Sequence, residues 1–508
     1  MSVSNPGNIR HCQQFIPEES PKTIPKSIVV LGIDIGTSGI RASIVKKEVS
    51  SKNEDKSPTE PDKKKELLLF SASVMLDPPI INDSLKSSTQ NPQLWIDGIN
   101  QLLFNLSESF DLSCVTNLVL DATSSTVLLC NQLGEPLTEA LMYNDQQATE
   151  EARLIRQACG FNPNSGATGA SSSLAKILFL LKKLEGNKVI TIQNRLSRSI
   201  RNEQTIYICN QIDFINFFLN GQLNTTDENN ALKIGYDSIN QAWPDWVRNI
   251  LNHQNRHLEL PNVVRPGADL GVLNANIIER YGFSESISLH AGTTDSIAGF
   301  LASGAHKIGD AVISLGSTLA IKVISDTPVF SNDFGVYSHR LKHNWLVGGA
   351  SNSGGAVLTK AYSILEIKAL INAIKTSKLT LPEAEQSAYY PLTKAGERFP
   401  IADSDLAPTM PIKPTKKINI QAPSIEHQRY FLSLIHGLIH IEQLAYEKLR
   451  ALGCPPIRQI YAVGGGVQNT LWQSLRAECL PNSSYSTLTL RTPQSREASF
   501  GVTRLIEA

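Results

Sequence analysis

The 508-residue chain carries 47 Lys and Arg against 47 Asp and Glu, a formal net charge of zero, with 41% hydrophobic and 19% charged residues. That composition excludes wholesale disorder, and the charge balance excludes a long-range field drawing the chain to nucleic acid or to an anionic membrane. The length is too great for one ordinary core, so two or three domains are expected, and any polyanionic ligand must be held by locally built donors.

Residues 1–26 are polar and proline-punctuated, with neither the apolar core of a signal peptide nor the Arg-rich, acid-poor character of a transit peptide, so a disordered extension is expected. Residues 27–33 form a continuous apolar run, the pattern of a strand buried on both faces. The turn Asp34-Ile-Gly-Thr-Ser-Gly39 follows, then a second strand over 40–45. The mixed-charge stretch 46–65 predicts a solvated insert within a hairpin, after which Glu66–Met75 resumes as a strand. Leu94, Trp95, Ile99, Leu102 and Leu103 give 91–110 helical spacing. A buried strand over 117–120 runs into Asp121-Ala-Thr-Ser-Ser125 and a further strand over 126–130. From 146 to 262 the patterns are mostly helical, an elaboration inserted into the first domain.

The second half repeats the opening. Strand Asp310–Leu315 leads through Gly316-Ser-Thr318 into a returning strand over 319–323. A strand over 344–348, a glycine and serine-rich loop, a helix over 435–449, and strand Gln459–Val463 into Gly464-Gly-Gly466 complete it. Two halves, each with a hairpin closed by a Gly/Ser/Thr turn, predict a duplicated α/β unit with a ligand cleft between the copies.

Four constellations carry chemistry. In Asp34-Ile-Gly-Thr-Ser-Gly, the glycines free backbone N–H groups for an anion and Thr37 and Ser38 add hydroxyls; a carboxylate there tolerates phosphate only through a cation, which makes Asp34 a candidate magnesium ligand. Gly316, Ser317 and Thr318 repeat the turn without the acid. Taken singly, the first turn is equally a plain hairpin, and the second reads more readily as one. Ala291-Gly-Thr-Thr-Asp-Ser-Ile297 precedes an apolar helical run, and Asp295 is either a cap or a base that orients and deprotonates a hydroxyl. In Gly464-Gly-Gly-Val-Gln-Asn-Thr-Leu-Trp472 the glycines offer bare backbone to a ring or phosphate, Asn469 could bond a purine or ribose, and Trp472 lies on the same helical face. The pair His436 and His440 lacks a third ligand, and no Walker A or GxSxG motif occurs. Seven scattered cysteines without a CxxC pair argue against a disulfide framework or zinc site, and a reducing, cytoplasmic location is expected.

In order and spacing the four resemble the FGGY family of carbohydrate kinases, within the actin/Hsp70/sugar-kinase superfamily. Ser171-Ser-Ser-Leu-Ala-Lys176 is similar to that family's first signature, with Phe179 in place of its usual Trp. The resemblance implies two ribonuclease-H-like α/β domains with an interdomain cleft. They span 27–302, binding sugar and carrying the 46–65 insert, and 303–490, binding ATP, with 491–508 packing back on the first. It implies Asp295 as general base, Asp34 near Mg2+ and ATP, and phosphate turns at Thr37, Ser38 and at Gly316, Ser317, Thr318. Gly465, Gly466 and Asn469 would hold adenosine, with Trp472 beside them. Asp121-Ala-Thr-Ser-Ser-Thr126 stands where xylulose kinases carry Gly-Gln-Met-His-Gly, and with Leu141-Met-Tyr-Asn144 it is similar to a cyanobacterial and plant subgroup thought to phosphorylate D-ribulose. Ser124, Asp34, Asp295 and Ser296 would then contact the sugar, with Ala122 standing where glycine is expected. D-xylulose is the alternative acceptor, and an ATP-driven, chaperone-like module is the alternative of another class.

Overall fold

Strand β1 (Ser27–Ile35) lies at the centre of the first sheet, with Val30, Leu31, Ile33 and Ile35 fully buried, as a run apolar on both faces requires. It pairs antiparallel with β2 (Gly39–Glu48), which pairs antiparallel with β3 (Glu66–Met75). On its other side β1 runs parallel to β4 (Asn117–Ala122), and β4 parallel to β5 (Ser288–Thr294). The computed structural model describes residues 27–48, 66–160, 165–190, 205–252, 257–480 and 489–507.

The second half uses the same plan. Strand β6 (Asp310–Leu315) pairs antiparallel with β7 (Leu319–Ser325), and β8 (Tyr337–Leu341) pairs with β9 (Asn344–Ala350), which joins β7. On the other side β6 runs parallel to β10 (Gln459–Val463), itself parallel to β11 (Thr489–Arg491). Each half therefore has antiparallel strands on one side of its central strand and parallel strands on the other, the ribonuclease-H-like arrangement present twice. Parallel strands of one sheet end on the same side, and their carboxyl ends are where open α/β sheets bind ligands.

Helix α1 (Gln93–Ser107) covers the first sheet with Trp95, Ile99, Leu102 and Leu103, while Leu94, which the periodicity also singled out, stays partly exposed outside that core. Helix α2 (Asp295–Ala302) follows β5. In the second half α3 (Gly355–Ala361), α4 (Ile425–Ala451) and α5 (Thr470–Cys479) share one core with β6 and β7. Helix α6 (Ala498–Val502) returns to the first half: a side chain at Gly32 would collide with Ser499 O, and one at Gly501 with Ala298 O. Ile297, Phe300 and Val502 pack with Val30 and Val119 of the first sheet and with Val312, Ile324 and Leu346 of the second, so α2 and α6 fill the seam between the halves.

Three local expectations change. The expected insert does not begin at residue 46, because β2 continues through Glu48. Lys47 is buried there, its ammonium donating to Thr503 O (2.7 Å) and Ile506 O (3.0 Å) of the C-terminal segment and lying 3.8 Å from Glu66 Oε1. The extension 1–26 and residues 49–65 of the insert lie outside the described residues. The strand after Ser125 is Val127–Cys130, and it leaves the first sheet: with Ser125 in the left-handed region (φ 63°), the chain turns into a third sheet. That sheet also takes Ile206–Asn210 and Leu258–Glu259, so the 146–262 stretch is not simply helical but supplies strands to a subdomain.

Candidate active site

Register brings the acids together. Asp34 of β1 is the direct partner of Asp121 of β4, and Asp121 is the partner of Thr293 of β5, two residues before Asp295. The carboxyl ends of three parallel strands thus deliver Asp34, Asp121 and Asp295 to one edge. Strand β5 reaches that register through a bulge between His290 and Thr293, where a side chain on Gly292 would collide with Leu120 O. Asp295 is the first residue of α2, one position inside the N-cap Thr294, and its Oδ1 accepts from Ser296 N at 2.6 Å. It keeps partial solvent access. Burial pushes its carboxyl up to about 6; the Ser296 N–H and the Lys322 ammonium pull it down, and Asp34 pushes it further up. Such a carboxylate is ionised near neutrality yet a better base than an exposed one.

Asp121 is fully buried, and neither carboxyl oxygen has a hydrogen-bond partner within the protein. Burial, then the charge and the close side-chain approach of Asp34, then the charge of Asp295 raise it well above the ordinary carboxylate range. Asp34 is itself buried, its Oδ2 3.3 Å from Arg41 Nη1. Two facing carboxyl groups, one with unused oxygens, are a hard-oxygen donor set that fits magnesium, which takes one or two carboxylates beside phosphate oxygens and water. No group of three or more His, Cys, Asp or Glu side chains that could hold a metal ion occurs among the described residues.

In the turn that follows β4, Ser124 is partly exposed at the tip and its neighbours are buried. Thr123 Oγ1 lies 2.6 Å from both Thr126 Oγ1 and Gln211 Oε1, and Lys176, itself fully buried, donates to Ser125 O (2.8 Å) and Met142 O (2.7 Å). Burial pushes the Lys176 ammonium down to about 7. Ala122 is buried in register with Ile35 and Thr294, and its methyl is accommodated within the sheet. Ser296 is exposed beside Asp295.

The two Gly/Ser/Thr turns are tight. Gly36 N donates to Gly39 O (3.0 Å), leaving Ser38 exposed at the tip and Thr37 partly so. Ser317 and Thr318 are exposed at the second tip, held from behind where Gly355 N donates to Gly316 O (2.8 Å) and Ala356 N to Ser317 O (3.1 Å). A side chain at Gly354 would stand 2.6 Å from Ser317 O, so the loop before α3 can lie against the turn only as glycine. The triple glycine lies on the end of β6: side chains at Gly464 and Gly466 would meet Leu315 O at 3.0 and 2.8 Å, whereas Gly465 faces open space. Asn469 caps α5, accepting from Trp472 N at 3.0 Å.

Trp472 departs from its expected place beside a nucleotide. It is 1% exposed, packed in the second-half core beneath Gly466. It supports the glycine loop from behind and presents no face to a ligand. Sequence reasoning gave no role to Asp121, Lys176, Arg41 or Lys322. Asp121 had a signal: like Asp34, it ends an apolar strand just before a hydroxyl-rich turn. Lys322 had none within its own strand.

Residues 29–302 match the FGGY family of carbohydrate kinases, N-terminal domain, and residues 311–499 match the C-terminal domain of the same family. The chain is 20% identical over 481 residues to a xylulose kinase of Staphylococcus xylosus, covering 92% of this chain and 88% of that one. A crystal structure of gluconate kinase from Lactobacillus acidophilus superposes with a TM-score of 0.68 at 17% identity, covering 94% of this chain and 89% of that one. One of Plasmodium falciparum glycerol kinase with ADP superposes with a TM-score of 0.68 at 14% identity, covering 94% and 88%. These relatives are named for three different acceptors, so the shared fold does not choose among sugars.

Proposed function

Because the chain belongs to the FGGY family of carbohydrate kinases, we propose that it transfers the γ-phosphoryl group of ATP to the terminal hydroxyl of a free ketopentose, D-ribulose first. The observation that carries the reading is Asp295: a partly accessible carboxylate at a helix start, raised to about 6, on the same sheet edge as Asp34 and Asp121. Asp295 accepts the hydroxyl proton as the acceptor oxygen bonds to phosphorus and the bond to the bridging oxygen of ADP breaks. Ser124 and Ser296 offer uncharged hydroxyls of the kind a polyol pairs with. Magnesium, when bound, neutralises phosphate charge, and Asp34 with Asp121 would hold it. Thr37, Ser38, Gly316, Ser317 and Thr318 would supply hydroxyl and backbone donors to the phosphates, and Gly465, Gly466 and Asn469 would hold adenosine.

D-xylulose is the second reading, favoured by the name of the Staphylococcus xylosus relative. A coupled assay of ADP release over D-ribulose, D-xylulose, L-ribulose, glycerol, ribitol and gluconate separates the two. Turnover with D-ribulose at the highest kcat/KM is expected; a clear preference for another acceptor replaces the substrate assignment. Asp295→Asn is expected to lose roughly two to four orders of magnitude in kcat while binding an ATP analogue as before. Undiminished turnover would remove Asp295 from the mechanism.

A further inference from the structure

Lys322 sits in the middle of β7, in the second half of the chain, yet its ammonium belongs to the first half's site. Nζ donates to Ser296 O at 3.0 Å and to Ser296 Oγ at 2.9 Å. Ser296 N in turn donates to Asp295 Oδ1 at 2.6 Å, so one residue links the lysine to the carboxylate. The lysine stem reaches this point across Gly348 of β9, its register partner, where a Cβ would stand 3.1 Å from Lys322 Cγ. Tyr337 of β8, partner of Gly348 on the far side, lies under the Lys233 ammonium at 4.1 Å from the ring centroid. His339 follows two residues along β8, kept well below its ordinary pKa by burial and then by Lys322 and Lys233.

The surroundings make a lysine an expensive choice. The seam between the halves is lined by Val312, Ile324 and Leu346, and methionine, of similar length, would fill the space without desolvating a charge. We propose that Lys322 is a positioning residue for phosphoryl transfer: its ammonium, supplied by the second half, clamps the Ser296 turn and holds a positive charge beside Asp295. The inference rests on the assignment of Asp295 as general base. The groups bearing on Asp295 are Asp34, Asp121, Ser296 N and Lys322, and Lys322 is the cation among the influences on its carboxyl. Burial lowers Lys322 itself, while Tyr337 and Asp295 hold its proton on. Because the clamp comes from the opposite half, the base is aligned only when the two halves stand in this relation.

Full-length Lys322→Met and Lys322→Arg test this in two ways. In hydrogen exchange without ligands, Lys322→Met is expected to speed exchange in the Asp295–Ala302 segment while the rest of the second-half core is unchanged. In turnover, it is expected to lower kcat roughly ten- to a hundredfold, with ATP-analogue affinity within roughly twofold, and Lys322→Arg is expected to recover most of the loss. Unchanged exchange in the α2 segment, or undiminished kcat in Lys322→Met, overturns the proposal, as does Lys322→Arg falling as far as Lys322→Met. If Asp295→Asn retains turnover, the base assignment itself fails. If Asp295→Asn is inactive while Lys322→Met is unimpaired, only the lysine's role fails. Should no acceptor turn over, the exchange measurement decides alone.

Discussion

A carboxylate can take a proton only when ionised, so the charge state of Asp295 gates the chemistry proposed for it. With its carboxyl raised to about 6, mainly by burial, the base form dominates above that pH and disappears below it. The acid limb of kcat/KM is expected to bend near 6 with a slope of one, and a profile flat down to about pH 5 contradicts the assignment. Asp121 makes a complementary prediction. Its folded carboxyl is raised well above the unfolded value, so the folded state holds a proton that the unfolded chain releases. The sign follows: stability falls as pH rises from the unfolded carboxylate range toward the folded value. Asp121→Asn removes that penalty and should melt a few degrees higher than the parent at neutral pH without magnesium. Added Mg2+ should raise the parent's Tm more than the variant's. An equal response in thermal melts would remove Asp121 from the cation's surroundings.

At the scale of the element, the glycine loop depends on what anchors the helix after it. Helix α5 is pinned to α4 by a fully buried pair: Arg476 Nε and Nη2 each donate to Glu442 at 2.7 Å, and Tyr446 Oη donates to the same carboxylate at 2.6 Å. Breaking such a pair leaves a buried guanidinium without its counter-charge. Glu442→Gln is therefore expected to cost roughly 3–5 kcal/mol, read as a lowered denaturation midpoint. The variant should also weaken nucleotide binding, because the loop at 464–466 loses its rigid floor. A midpoint shift under about 1 kcal/mol would mean that the amide satisfies Arg476 as well as the carboxylate does.

Across the whole molecule, the chain's last segment completes the half in which the chain begins. Ser499 bonds Ser43 Oγ to Oγ at 2.8 Å, Thr503 and Ile506 accept from Lys47, and Arg504 pairs with Glu66 at 2.6 Å. Truncation after Arg491 strips the carbonyl acceptors from a buried ammonium and uncovers the seam packed by Val502. The first half is expected to lose roughly 3 kcal/mol or more, and adding Lys47→Met to the truncation should return part of it. A truncated chain melting as the parent does would show that the segment only decorates the surface. The same segment shares the seam with α2, so its loss should reach the Asp295 turn as well.

What the amino-acid order determined by itself is local. Strands Asp310–Leu315 and Gln459–Val463 coincide with their apolar runs, and the tight turns at 36–39 and 316–318 stand where Gly, Ser and Thr put them. Their dihedral preferences and burial patterns are written within a few neighbouring residues. Tertiary structure decided the rest. Trp472 follows Asn469 one helical turn on, but contact with the second-half core settles that the Trp472 side chain turns inward. Val127–Cys130 is plainly a strand, while the left-handed turn at Ser125 carries it into another sheet. Asp121, Lys47 and Lys322 acquire their roles from strand register and from partners far along the chain, with Thr503 lying 456 residues from Lys47. Register and cross-half packing are properties of the assembled chain, and no window along the sequence contains both partners.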